Sequence, residues 1–176
     1  MANNILVAYA TEYGSTQEVA EAVVSTLRAE GIEVELHHVR EVRSLEGYRA
    51  VVLGAPLYMF RWHRDARNFL SRHRKALQSL PVYVFALGPF HNKEEELQSV
   101  HEQMGKELAR YPWFKPLVVQ PFVGKFDPAK LRFPFNIIGP LKNMPACDER
   151  DWPAIKTWAS DLADRFHGGS AVPLDR

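Results

Sequence analysis

Ile5-Leu6-Val7-Ala8-Tyr9 runs with little break into Thr11-Glu12-Tyr13-Gly14-Ser15-Thr16, and a helical pattern starts at once. A short apolar run, β-branched or aromatic in part, suits a strand buried on both faces, which needs a sheet covered on two sides. The turn that follows carries one glycine and three hydroxyl side chains, Thr11, Ser15 and Thr16. Backbone N–H groups and the positive end of the helix dipole converge there and form a cradle for an anion, phosphate being the obvious one. The same residues also spell a capping box, Ser15-Thr16-Gln17-Glu18, which would satisfy the helix end without any ligand. With one glycine and no Gly-Lys-Ser/Thr, the turn is neither a dinucleotide fingerprint nor a Walker A loop.

A chain of 176 residues suits one domain with a real core. The expectation is a single unit over residues 1–168, with an irregular insert at about 125–150 and a flexible tail at 169–176. The formal charge of +1 gives no reason to expect a nucleic-acid partner. Cys147 is the sole cysteine, so no intrachain disulfide forms and a reducing compartment is expected. Asp148 and Glu149 beside it disfavour a thiolate, which argues against a nucleophile. No segment approaches the roughly 20 apolar residues of a membrane helix. Met1-Ala2-Asn3-Asn4 has neither the basic nor the long apolar region of a signal peptide, and the expected location is cytoplasmic.

Val19, Ala20, Val23, Val24 and Leu27 share one helical face, and Gly31 is a natural stop. Ile32 to Leu36 alternates apolar and charged residues, as a half-exposed strand near a sheet edge does. His37 and His38 continue it on opposite faces, which argues against a shared metal. Ala50–Gly54 and Val82–Gly88 read as further buried strands, and Leu117–Gly124 as a last one, with Pro121 marking a bulge, an edge or a break. Between them lie a helix burying Trp62, Ala66, Phe69, Leu70, His73 and Leu77, and another bearing Leu97, Val100, Met104 and Leu108, with Asn92 and Glu95 as a cap pair. The first of these helices has a strongly basic outer side (Arg61, Arg64, Arg67, Arg72, Arg74, Lys75), either a solvated face or a docking patch. Residues 125–150 show no periodicity yet are too apolar for disorder, and a final helix from Asp151-Trp152-Pro153 buries Ile155, Trp158, Ala159, Leu162 and Phe166.

This order of elements predicts an α/β fold, a doubly wound five-stranded parallel sheet in the order 2-1-3-4-5 with helices on both faces. In that order the chain reverses between strands one and three, and ligands bind at their carboxyl ends. Three loops converge there: Thr11–Thr16, Ala55–His63 and Gly88–Asn92. The second offers Tyr58, Phe60 and Trp62 and the third Phe90, either as loop packing or as walls for a planar ring on a phosphorylated tail.

Thr11, Gly14, Ser15 and Thr16 resemble the Thr/Ser-x-Thr-Gly-x-Thr loop of the flavodoxin family, with Tyr13 in place of a threonine. The resemblance covers nearly the whole chain. It implies an electron-transferring flavoprotein that binds FMN non-covalently, its phosphate held by Thr11, Glu12, Tyr13, Gly14, Ser15 and Thr16. The ring would then lie against Pro56, Leu57, Tyr58, Met59 and Phe60 on one side and Gly88, Pro89, Phe90, His91 and Asn92 on the other. Gly124-Lys125-Phe126-Asp127, the insert, and Arg150-Asp151-Trp152-Pro153 are similar to the branch that holds bacterial menaquinone-dependent protoporphyrinogen IX dehydrogenases. That branch implies an alternative, an FMN-dependent dehydrogenase of a porphyrin with a quinone acceptor. Flavodoxins commonly ring the flavin with acidic residues, whereas Arg61, Arg64 and Arg67 follow the second loop here. An acidic redox partner protein, or a quinone at a membrane surface, suits that patch better than a basic partner. Tyr13 in the phosphate loop keeps a third reading open, a binding module that has lost its flavin.

Overall fold

Strand β1 (Asn4–Tyr9) leads through the glycine turn into helix α1 (Ser15–Ala29), then edge strand β2 (Val34–His38) and the long strand β3 (Tyr48–Tyr58). A two-residue strand β4 (Arg61–Trp62) folds back on β3, followed by α2 (Arg64–Arg72), α3 (Arg74–Leu77), β5 (Val82–Leu87), α4 (Glu94–Leu108) and β6 (Val118–Phe122). An insert bounded by β7 (Lys125–Phe126) and β8 (Cys147–Asp148), with the short helix α5 (Gly139–Lys142) inside it, precedes α6 (Trp152–Gly168). This computed structural model describes residues 4–58, 61–88 and 90–168, so Met59, Phe60, Pro89 and the expected tail at 169–176 lie outside the described residues.

The principal sheet runs β2-β1-β3-β5-β6 with every pair parallel, which is the expected 2-1-3-4-5 order with β4 as an added hairpin arm. Alternate residues of each strand feed two separate cores, as the pleat requires. Ile5, Val7 and Val52 pack with Val23, Leu27, Ile155 and Leu162 of α1 and α6. Leu6, Ala8 and Leu53 pack on the other face with Phe69 and Leu70 of α2 and Met104 of α4. Both faces are covered, and so the inner strands could be apolar throughout. Pro121 sits in edge strand β6, where its missing N–H costs no ladder bond on the open side.

Two boundaries differ from expectation. Strand β3 has 11 residues and carries Ala55–Tyr58, which the sequence suggested as loop. Pairing of Leu57 with Trp62 and Tyr58 with Arg61 makes that segment the first arm of a hairpin, so Arg61 and Trp62 stand in β4 and not on the helix expected to carry them. The basic helix breaks at His73, whose buried ring bonds the Val42 carbonyl at 3.2 Å. Among the described residues, no helix is long and apolar enough to cross a membrane.

Candidate functional site

The carboxyl ends of β1, β3 and β5 are adjacent in the sheet, so the loops that leave them share one edge. In the first loop, Gly14 is the N-cap of α1 with φ 91°, a left-handed conformation that glycine adopts without strain. No side chain caps the helix, so the capping box suggested by Ser15 and Glu18 does not form. Glu18 instead reaches Arg150 at 2.6 Å. Thr11 Oγ1 accepts the Gly14 N–H at 2.9 Å, which closes the turn and leaves the hydroxyl proton of Thr11 to donate outward. Thr16 is fully buried and its Oγ1 has no hydrogen-bond partner within the protein. A buried donor without a partner costs about 1–3 kcal/mol. Together with uncapped first-turn amides at the positive end of a 15-residue helix, it is the environment that an anionic oxygen stabilises. The residues present therefore fit a phosphate-bearing cofactor.

The first and second loops meet through side chains. Tyr13 and Tyr58 lie edge to face with centroids 6.4 Å apart, and the Tyr58 ring is also 6.4 Å from that of His63. Burial, reinforced by Tyr13 and Glu12, pushes the Tyr58 phenol upward, so it stays protonated and can only donate or accept a hydrogen bond. Buried His63 is the N-cap of α2: its Nδ1 accepts the Asp65 N–H at 3.2 Å. The ring proton therefore sits on Nε2, which faces Glu12 Oε2 at 3.3 Å. Pro56 and Leu57 are buried within β3 and belong to its hairpin; Met59 and Phe60 lie outside the described residues. Trp62, suggested as a ring wall, is 1% exposed and donates its indole N–H to Ala55 O at 3.2 Å, so it is a core anchor.

In the third loop, Gly88 packs where a Cβ would stand 2.6 Å from Val100 Cγ2, a tight approach of loop to α4. Phe90 is half-buried and packs against Phe126 of β7, the tilted rings 5.0 Å apart between centroids. His91 and Asn92 are both held by Glu149, the first through Nδ1 at 3.1 Å and the second through its backbone N–H at 2.9 Å. Asn92 does not cap α4, whose N-cap is Lys93; Glu96 takes the His91 N–H at 3.2 Å.

Sequence reasoning missed the residues that join these loops. The β7–β8 ribbon brings Glu149 to the third loop and, next to it, Arg150 to the first turn of α1. The Arg150 side chain is 3% exposed, grips Asp148 through two bonds at 2.7 and 2.6 Å, and lies 4.6 Å over the Trp152 ring. Asp148 is held below the usual carboxylate range chiefly by those bonds. At the insert's far side, Arg132 comes within 3.9 Å of Glu12. No local pattern marks such contacts, since Glu149 lies 57 residues of chain from Asn92 and Arg150 lies 135 from Ser15. Of the cations after the second loop, Arg61 is spent on buried Glu107 at 3.2 Å, tying the hairpin to α4. Burial is the main reason the Cys147 thiol is raised, with Glu149 and Asp148 adding to it, which disfavours the thiolate. Among the described residues, no cluster of His, Cys, Asp and Glu could hold a metal ion.

The family model of the flavodoxin domain matches residues 6–138. The curated relative protoporphyrinogen IX dehydrogenase [quinone] of Escherichia coli (strain K12) is 27% identical over 93 residues, which is 52% of this chain and 51% of that protein. The chain thus spans about half the length of the curated relatives it matches. Among solved structures, oxidised flavodoxin 2 from Bacillus cereus is similar with a TM-score of 0.56 and 19% identity over 95% of this chain and 99% of that one. A flavodoxin from the domain Archaea gives 0.56 and 15% over 93% and 99%. At these identities the structures show the shared fold.

Proposed function

This chain belongs to the flavodoxin-domain family and is an FMN-binding electron-transfer flavoprotein, and we propose that the Thr11–Thr16 turn holds the phosphate while the Tyr58 hairpin and the Phe90 loop flank the ring. The observation that carries this assignment is the buried, unpartnered Thr16 hydroxyl beside a helix end with no side-chain cap. Bound FMN would supply the redox chemistry; the protein sets its orientation and its surroundings. Thr11 and Thr16 donate hydroxyl protons, and the amides of the first helical turn add to them. Tyr13 and Tyr58 present a low-polarity wall that disfavours added negative charge on a reduced ring. His63 Nε2–H, oriented by Asp65, keeps Glu12 in place at the rim.

Replacing Thr11 and Thr16 together by Ala is expected to weaken FMN binding by about 3 kcal/mol, about a hundredfold in Kd. Titration of the apoprotein by flavin fluorescence quenching checks this, and an unchanged Kd would reduce the turn to a helix start. A protein that purifies colourless and takes up no FMN would favour the flavin-free binding module instead.

The electrons pass to or from a redox partner. A finer reading, favoured by the likeness to the E. coli dehydrogenase and by the cationic insert, is oxidation of protoporphyrinogen IX with a quinone acceptor. Lys130 and Arg132 are exposed and suited to porphyrin propionates. Turnover of protoporphyrinogen with a quinone by the FMN-loaded protein supports it, and none removes it in favour of electron carriage. Cytoplasmic placement is part of this reading, with the free thiol of Cys147 in keeping.

A further inference from the structure

Among the described residues, the insert carries the large apolar side chains that the fold leaves exposed: Phe133 at 77%, Ile137 at 68%, Ile138 at 40% and Phe135 at 36%. They occupy consecutive short turns, and the stretch 128–146 holds Lys130, Arg132 and Lys142 but no Asp or Glu. An apolar tip of this kind on an otherwise well-covered fold marks a contact surface. We propose that this tip docks on an anionic phospholipid bilayer, the aromatic and isoleucine side chains entering the interface and the cations pairing with headgroups.

Two features select a bilayer over a protein. The tip's backbone is largely self-satisfied: the N–H groups of Asn136, Ile137, Ile138 and Lys142 donate to Arg132, Pro134, Phe135 and Ile138 carbonyls at 2.9–3.3 Å. Pro134 and Pro140 have no N–H to desolvate. Little polar backbone is therefore left to pair when the tip leaves water. The charge is of one sign, which complements anionic lipid but would oppose itself across a two-fold contact with a second copy. Apolar insertion and basic attraction are the two signals that give peripheral membrane binding. The inference needs no bound flavin and is independent of the redox assignment.

The test is co-sedimentation of the full chain with vesicles of phosphatidylcholine alone or mixed with phosphatidylglycerol, at low and high salt. The wild type is expected to bind the mixed vesicles, to bind the neutral ones weakly, and to release with salt. Phe133→Ser with Ile137→Ser, and separately Lys130→Gln with Lys142→Gln, should each lower the partition coefficient at least about tenfold. Those side chains are exposed, so both variants should keep the wild-type thermal midpoint. No binding to mixed vesicles, or binding that both variants leave unchanged, overturns the proposal. So does a dimer in light scattering that Phe133→Ser with Ile137→Ser dissolves while vesicles are ignored.

Discussion

At Gly54 an added Cβ would stand 1.9 Å from Phe85 Cζ, with the β5 ring lying across the β3 backbone. Gly54→Ala must displace that ring or part the two strands, and is expected to cost about 1–3 kcal/mol. Urea denaturation measures it, and Phe85→Leu in the same chain should recover part of the loss. His73 gives a pH signature. Burial holds its imidazole below the usual histidine pKa, so the fold favours the neutral ring. The unfolded chain binds that proton below pH about 6.5, so this contribution is full above that value and is lost as pH falls toward the lower folded pKa. The urea midpoint should drop between pH about 7.5 and about 5.5. The drop should shrink in His73→Gln, whose amide can still donate to Val42. His38 is also lowered, mainly by burial, so a residual slope of the same sign is expected. At this scale the sequence was legible wherever spacing decides burial, as with Phe69, Leu70 and His73. It was silent where identity depends on a distant partner: Trp62 looked like a ligand wall until its indole found the Ala55 carbonyl.

The β7–β8 ribbon is the element on which the site's rim depends, and Arg150 is its fastening. Arg150→Met removes the buried cation shared by Asp148 and Glu18 and should cost about 3 kcal/mol. The partners are partly exposed and can be rehydrated, which keeps the cost at the low end for such a group. The effect should also be local. Hydrogen exchange of the Asn92 amide, held by neighbouring Glu149, should speed up while amides of β1 and β3 keep their protection. Equal acceleration at both places would mean that the ribbon is part of the global core. Elements with a strong period were readable from sequence, down to the final helix and five of its six buried side chains. The extension of β3 was not, because Ala55-Pro56 reads as a break; only the hairpin pairing with β4 converts it to strand. The apparent caps at Ser15 and Asn92 misled for a related reason. Each has the right side chain for a cap, but Glu18 and the Asn92 amide are claimed by the end of the insert.

For the molecule as a whole, strand order followed from apolar runs and right-handed crossovers, and the convergence of the loops followed from strand order. What pattern could not supply was how residues 125–150 sit on that frame, since a segment without period has its position set only by contacts. Those contacts put Phe126 against Phe90 and Arg132 near Glu12, so the insert borders both the first and the third loop. Its two ends, Lys125–Phe126 and Cys147–Asp148, are paired side by side. A stretch that leaves and re-enters at one point can be gained as a cassette by an ancestor without redrawing the frame. Losing it again is another matter, because its closing residues now staple the frame's own loops. Any attempt to graft this appendage onto a plainer scaffold, or to shave it off, has to carry Glu149 and Arg150 along or find substitutes for them.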